Sequence, residues 1–170
     1  MSLLAPPDPD WPTIAASEIA QWHKVCGLGL MKVHHIGSTS VPGLPAKPII
    51  DLLPVFKDDG SIDCVRDQLE SFGYEWMGEF GLPGRRYCRK DDPDTGKRIF
   101  HAHAYEVGHE GVLRHLAFRD ALRKNASMRA AYTSVKAACA ERHPDGGAQY
   151  SGCKSDWISK AEALALEHQS

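Results

Sequence analysis

The segment between residues 34 and 56, HHIGSTSVPGLPAKPIIDLLPVF, constrains the fold of this 170-residue chain more than any other. Residues 37–47 are rich in glycine, serine and proline, which predicts a loop. Residues 48–56 form a short apolar run, which predicts a buried strand. Asp51 lies inside that run, where a lone ionised carboxylate is costly unless it is paired or bound to a metal. The sequence therefore predicts a specific partner for Asp51.

The start of this loop has the residue types of an anion-binding turn. Small residues at 37–40 let the backbone approach a ligand closely, and successive N–H groups in a tight turn can hold an anion. Ser38, Thr39 and Ser40 add hydroxyl donors. Lys47 adds a compact positive charge suited to phosphate. Ordinary turns use the same residues, and the Walker A pattern is absent, so the spacing alone leaves a phosphate site and a plain turn both open.

The order of predicted elements indicates the fold class. The patterns predict a helix over 14–26 capped by Thr13, strands at 31–36 and 48–56, a helix over 61–72, a strand and turn at 73–79, hairpin strands at 84–90 and 97–107, and helices over 110–124, 126–142 and 154–168. We therefore expect one α+β (α/β-like) domain over residues 1–170. Its mixed β-sheet should be flanked by helices, and its C-terminal half should be mostly helical.

Composition excludes some classes of function. A net charge of -2 and a pI of about 6.5 argue against broad nucleic-acid binding. No window approaches the length of a membrane span, and the first residues lack the basic character of a signal peptide. The five cysteines are scattered without a C-x-x-C pair. This spacing predicts single thiols in a reducing cytoplasm.

A histidine pair lies on the second hairpin strand. His101 and His103 alternate with an alanine, so a strand would direct both imidazoles to one face. Two such imidazoles can bind a metal, hold a phosphate or transfer protons. The alternative is a pair of half-exposed hairpin histidines. His35, just before the loop, is either a further polar group of this site or a strand-end histidine bonded to backbone.

Three basic residues are further candidates for phosphate binding. Arg85 and Arg86 should point to opposite faces of their strand, and we favour Arg86 as the one that faces a ligand. Arg119 either reaches the cleft or forms a surface ion pair. Lys154, at the predicted start of the last helix, either supplies charge to a phosphate or solvates the helix end.

The motif HIGSTSVPGLPAKPIID resembles the signature of the GrpB family, a branch of the nucleotidyltransferase superfamily. The resemblance covers nearly the whole chain in family order: DPDW at 8–11, GRRYCRK at 84–90, HAH at 101–103, RHLAFRDALR at 114–123 and YSGCKSDWI at 150–158. It implies the nucleotidyltransferase type of mixed sheet with flanking helices.

In that superfamily a Gly-Ser loop holds the nucleotide phosphates, and a carboxylate pair on the next strand joins a third carboxylate to bind two metals. Gly37 and Ser38 match the loop, and Asp51 matches the first carboxylate. Leu53 stands where the second carboxylate is expected, which argues against standard two-metal transfer. His101 and His103 belong to the family pattern, and with Asp51 they have the composition of a two-histidine, one-carboxylate metal site.

The residues and the resemblance together predict one site. Its catalytic and metal-binding residues are Asp51, His101 and His103, with Mg²⁺, Mn²⁺ or Zn²⁺ as the divalent metal. Its phosphate-binding residues are Gly37, Ser38, Thr39, Ser40, Lys47, Arg86, Arg119 and Lys154.

The implied function is that of a nucleotidyltransferase-like domain that binds a phosphorylated ligand, a nucleotide in the first instance, with metal-dependent nucleotidyl transfer. One alternative is a catalytically inactive binding module of the same fold. The other is an accessory domain partnered with dephospho-CoA kinase, to which family members are fused.

Overall fold

Five strands form one sheet in the order β1-β2-β5-β4-β3 in the computed structural model, which describes residues 2–168. The strands are β1 Leu30–Ile36, β2 Ile50–Phe56, β3 Tyr74–Trp76, β4 Arg86–Asp91 and β5 Arg98–Glu106. The central strands β2 and β5 are parallel, and the other neighbouring pairs are antiparallel. The predicted mixed sheet is therefore confirmed.

Six α-helices flank this sheet or follow it within the described range. They are α1 Trp11–Cys26, α2 Asp59–Asp63, α3 Arg66–Ser71, α4 Glu110–Lys124, α5 Ala126–Arg142 and α6 Gly147–Glu167. The last three make the C-terminal half mostly helical, as predicted. Asn125 separates α4 from α5, and its side chain accepts a hydrogen bond from the Met128 amide at the start of α5.

Three helix boundaries differ from the prediction. Helix α1 begins at Trp11, so Thr13 lies inside its first turn, where Pro12 is readily tolerated. The predicted helix over 61–72 is two short helices, separated at residues 64–65. Helix α6 begins at Gly147, seven residues before the predicted start, so Lys154 lies within it. The predicted start of the last helix lies well after the glycines at 146–147, but α6 begins directly at the second of them.

The two faces of β2 pack against different layers. Leu52 and Phe56 point into the main core, which α1 and α3 cover. Leu53 and Val55 point the other way, into a smaller apolar cluster that includes Val112 of α4. Because both faces of β2 are buried, its sequence is a nearly continuous apolar run. The alternation also places Asp51 on the same face as α4.

A third apolar cluster joins the loop after β1 to the C-terminal helices. Val41 and Leu44 pack with Leu122 of α4 and Tyr132 of α5. The ring of Tyr132 stacks on Trp157 of α6 at a centroid distance of 5.0 Å. The loop is thus held under the helical half of the chain. Of residues 37–47, only Pro42 and Gly43 at the tip of the loop are exposed.

The prediction that all five cysteines are single thiols is wrong. Cys139 of α5 and Cys153 of α6 form a disulfide, because the two packed helices bring their Cα atoms to 5.8 Å. Cys26, Cys64 and Cys88 are free. Among residues 2–168, no helix combines the length and the apolar character needed to cross a membrane.

Candidate anion-binding site at the start of strand β2

Asp51 and the histidine pair converge, as predicted. The parallel register places Asp51 directly beside His101, and alternation places His103 on the same face. His101 Nδ1 and His103 Nε2 each lie 3.4 Å from Asp51 Oδ1. The carboxylate that seemed unpaired in the sequence thus has two imidazole partners from the neighbouring strand.

The same contacts set the charge state of this group. Burial raises the pKa of the Asp51 carboxyl, but the hydrogen bonds and charges of His101 and His103 outweigh it and hold the pKa below its ordinary value. Burial lowers the pKa of His103, although Asp51 opposes this effect. Near neutral pH the site therefore contains an ionised carboxylate beside a neutral His103.

Gly37 brings the loop directly against this carboxylate. Its φ of 69° lies in the left-handed region, where residues with a side chain are strained. A Cβ added there would lie 2.6 Å from Asp51 Oδ2, which is too close for any side chain. The Gly-Ser loop therefore depends on glycine at this position for two separate reasons.

Three lysines surround the Asp51 side of the loop. Lys47 precedes β2, Lys136 comes from α5 and Lys154 comes from α6. With them, Ser38, Thr39, Ala46, Ile49, Asp51, His101 and Tyr150 line a small cavity of about 80 Å³, which we call the lysine cavity. The ammonium groups of Lys47 and Lys154 lie 4.9 and 4.1 Å from the centre of the Tyr150 ring, in cation–π geometry.

Lys136 is the most buried of the three, with 1% of its surface exposed. Its ammonium group donates a hydrogen bond to the Pro45 carbonyl and lies 4.9 Å from the centre of the Tyr132 ring. Sequence reasoning missed both Lys136 and Tyr150. A usable signal was present, because Lys136 falls at helical spacing between the buried Tyr132 and Cys139.

Burial acts against the charged forms of the lysines in the lysine cavity. Burial and the charge of Lys154 lower the pKa of Lys136 to about 7. Burial and the charge of Lys47 lower the pKa of Lys154 to about 8, against the opposing effect of Asp51. Burial also lowers the pKa of Lys47.

Some predicted site residues do not reach this cavity. Arg86 lies opposite Ala104, whereas Tyr87 lies opposite His103, so Arg86 points to the other face of the sheet. There it forms a bidentate ion pair with Asp63: its Nε donates to Oδ1 at 2.7 Å and its Nη2 donates to Oδ2 at 3.0 Å. The preference for Arg86 as a ligand-facing residue is therefore not supported.

Arg119 and Ser40 also bond elsewhere. Arg119 donates to Asp120 at 2.8 Å and to the His35 carbonyl at 3.3 Å. The Ser40 hydroxyl donates to the Gly37 carbonyl at 2.6 Å. His35 Nε2 lies 2.8 Å from Thr39 Oγ1, so this histidine bonds to the loop and not to Asp51.

The residues present do not fit the two-metal arrangement of the superfamily. Leu53, at the position of the second carboxylate, is fully buried among apolar side chains. Within residues 2–168, no group of three or more histidine, cysteine, aspartate or glutamate side chains is arranged to hold a metal ion. The divalent metal at Asp51, His101 and His103 stays a prediction.

The model of the GrpB protein family matches residues 3–163. The chain belongs to the GrpB family. The UPF0157 protein YqkA of Bacillus subtilis is 40% identical over 141 residues, which are 83% of this chain and 40% of YqkA. A dephospho-CoA kinase of Mycolicibacterium paratuberculosis is 29% identical over an alignment of 187 positions, which covers 96% of this chain and 46% of the kinase. This GrpB chain thus spans less than half the length of either relative.

Solved structures support the fold. The crystal structure of the conserved protein GrpB from Enterococcus faecalis matches with a TM-score of 0.90 and 40% identity, over 98% of both chains. The poly(U) polymerase Cid1 bound to MgATP matches with a TM-score of 0.56 and 12% identity, over 79% of this chain and 43% of Cid1. The GrpB chain therefore has a fold like that of the nucleotidyltransferases, which the sequence predicted.

Proposed function

We propose that this GrpB chain binds a phosphorylated ligand, a nucleotide in the first instance, through a phosphate in the lysine cavity. The observation that carries the proposal is the convergence of Lys47, Lys136 and Lys154 from three separate segments. Holding partly buried ammonium groups together costs free energy, and that cost lowers their pKa values. A phosphate group would reverse it by supplying negative charge and several hydrogen-bond acceptors.

The size of the cavity supports a ligand that enters only in part. A water molecule takes up roughly 30 Å³ of liquid volume, so a cavity of about 80 Å³ accepts one phosphate-sized group. The rest of a nucleotide would lie outside it. The hydroxyl of Ser38 and the imidazole of His101 line the same cavity and would contribute to orientation.

In this function the chain binds the phosphate, and lysines neutralise the phosphate charge in place of two metals. One observation favours a second candidate, metal-dependent nucleotidyl transfer. The ionised carboxylate of Asp51 lines the same cavity as Ser38 and the lysines. A divalent cation at Asp51 would there meet the oxygens of a bound phosphate.

The relation to dephospho-CoA kinases suggests the ligand panel and a partner. Proteins of that name contain a segment similar to almost all of this chain. We therefore include dephospho-CoA and coenzyme A among the ligands to be tested, and dephospho-CoA kinase among candidate partners.

Isothermal titration calorimetry tests the proposal. Wild-type protein would be titrated with ATP, UTP, pyrophosphate, dephospho-CoA and coenzyme A, each with and without Mg²⁺, Mn²⁺ or Zn²⁺. We expect at least one phosphorylated ligand to bind. The double variant Ser38→Ala/Lys47→Ala should bind it more than about tenfold more weakly, since hydrogen bonds to charged groups contribute about 1.5–3 kcal/mol each. Lys160→Ala, an exposed lysine on α6, is the matched control.

Proton uptake gives a second and more specific measurement. A phosphate in the cavity would raise the lowered pKa values of Lys136 and Lys154, so binding near pH 8 should take up protons. Titrations in two buffers with different ionisation enthalpies would measure this uptake. Unchanged affinity in the double variant, or binding without proton uptake, would contradict the proposal. Release of pyrophosphate that requires a metal and is lost in Asp51→Asn would instead establish the second candidate.

A further inference from the structure

A second cavity lies on the other side of the loop. It has a volume of about 440 Å³ and is lined by Pro12, His35, Ser40, Pro42, Arg123 and Arg129. We call it the arginine cleft. It shares no lining residue with the lysine cavity, and no carboxylate lines it. Its two charged side chains are both guanidinium groups.

Arg123 is held in the cleft by one edge of its guanidinium. Its Nε donates to the Ser40 carbonyl at 3.0 Å. Among residues 2–168 the guanidinium of Arg123 forms no ion pair and no other hydrogen bond, so both of its amino groups remain for another acceptor. Burial and the nearby charge of Arg119 lower its pKa, and Asp120 opposes that effect.

Arg129 is fixed in a similar way. Its Nη1 donates to the carbonyls of Leu122 and Arg123 at the end of α4, at 2.9 and 2.8 Å. Both guanidinium groups are therefore positioned before any ligand arrives. A ligand would then not have to order two long side chains, which ordinarily costs free energy on binding.

The groups beside the cleft do not neutralise it. Burial and the charges of Arg123 and Arg119 lower the pKa of His35 to about 4, against the raising effect of Asp51. His35 is therefore neutral near pH 7. Asp120 of α4, the acidic side chain that acts on Arg123, is engaged by Arg119 at 2.8 Å. The cleft thus has a net positive charge.

We infer that the arginine cleft binds a second oxyanion, the phosphate or carboxylate of a small organic molecule. Planar guanidinium groups bind such oxyanions through paired hydrogen bonds. A volume of about 440 Å³ is in the usual range for small-molecule sites, so the cleft has room for more than the anionic group itself. Pro12 and Pro42 would contact the apolar part of that molecule. This inference does not depend on the lysine cavity being a nucleotide site.

One hydrogen bond connects the two cavities. Thr39 lines the lysine cavity, and its hydroxyl lies 2.8 Å from Nε2 of His35, which lines the arginine cleft. Because His35 itself lines the arginine cleft, its titration reports on the charge there, and Lys154→Ala is needed to separate this from an effect of the lysine cavity. An anion bound there would favour the charged imidazole and raise the pKa of His35.

Nuclear magnetic resonance titration tests the inference. Labelled protein would be titrated separately with inorganic phosphate and with acetate, and the Nε–H signal of Arg123 and the pKa of His35 would be followed. We expect both the Arg123 signal and the pKa of His35 to change with at least one anion. The anion that binds more tightly, phosphate or acetate, shows whether the natural ligand carries a phosphate or a carboxylate. Lys154→Ala should leave these changes in place, because that residue lines only the other cavity.

Variants of Arg123 complete the test. Arg123→Gln should weaken binding in the cleft by about tenfold or more, the usual effect of losing charge-assisted hydrogen bonds. Arg123→Lys keeps a donor for the Ser40 carbonyl but lacks the two amino groups of the guanidinium, so it should also bind more weakly. It replaces Arg123→Gln in the test if that variant fails to fold. Arg142→Gln, at the exposed end of α5, is the control. Shifts confined to the lysine cavity, or unchanged affinity in the folded Arg123 variants, would overturn the inference.

Discussion

Replacing Lys136 with methionine should remove a pH dependence from the stability of this GrpB chain. The Lys136 side chain is almost completely buried, and its pKa is lowered from 10.5 to about 7. In the unfolded chain the pKa returns to its ordinary value. Between these two pKa values the unfolded state binds more protons than the folded state. The free energy of unfolding should therefore rise with pH across that window.

The magnitude follows from the pKa shift. At about 1.36 kcal/mol for each pK unit, the full difference between the two pKa values corresponds to about 5 kcal/mol. The rise begins gradually near the folded-state pKa, so about 2 kcal/mol of it falls between pH 7 and pH 9. Below pH 6 both states are protonated and the contribution is constant. The variant also loses the hydrogen bond to Pro45, but that loss does not depend on pH.

Urea unfolding at pH 6, 7, 8 and 9 would measure this effect in a buffer without phosphate. Wild-type protein should gain about 2 kcal/mol relative to Lys136→Met between pH 7 and pH 9. Lys124→Met, which removes an exposed lysine, should follow the wild type. A difference between wild type and Lys136→Met that stays constant within about 0.5 kcal/mol would refute the reasoning. It would also remove the electrostatic argument for an anion in the lysine cavity.

Three other features give predictions. Gly37→Ala should lower the free energy of unfolding by more than about 2 kcal/mol in thermal melts, because it combines backbone strain with a clash against Asp51; Gly43→Ala, with positive φ but open space, should cost less. Asp51→Asn should lower the pKa of His103 further in an NMR titration, since the charge that raises it is gone; an unchanged pKa would contradict the contact. Cys139→Ser should lower the free energy of unfolding by about 3 kcal/mol, as expected for a short closed loop; the loss should vanish when both proteins are reduced, and a loss that persists would argue against the disulfide.

The sheet and the Asp51 cluster could be predicted because their signals are local. The loop composition, the apolar run around Asp51 and the alternation of His101 with His103 each depend on a few neighbouring residues. The family resemblance then indicated that these segments meet. Convergence itself depends on the parallel pairing of β2 with β5, which no single segment specifies.

The rest of the site depends on packing that short segments do not reveal. Lys136 and Tyr150 enter the lysine cavity only because α5 and α6 fold back over the loop. The disulfide has the same origin, since Cys139 and Cys153 meet across those two helices. Arg86 illustrates a different difficulty. A one-residue uncertainty in the start of a strand exchanges its two faces, so Arg85 and Arg86 could not be assigned to faces from spacing.

The lysine cavity is shared between two layers of the molecule. Asp51 and His101 come from the sheet, whereas Lys136 and Lys154 come from the helices packed over it. Repulsion between Lys47, next to β2, and Lys154 of α6 opposes the docking of the helical layer, and an anion held between the layers would remove that repulsion. A ligand would then act as part of the interior, joining the two halves of the chain. A fragment that ends before α5 would keep the carboxylate and the imidazoles but lose two of the three cations that attract the ligand.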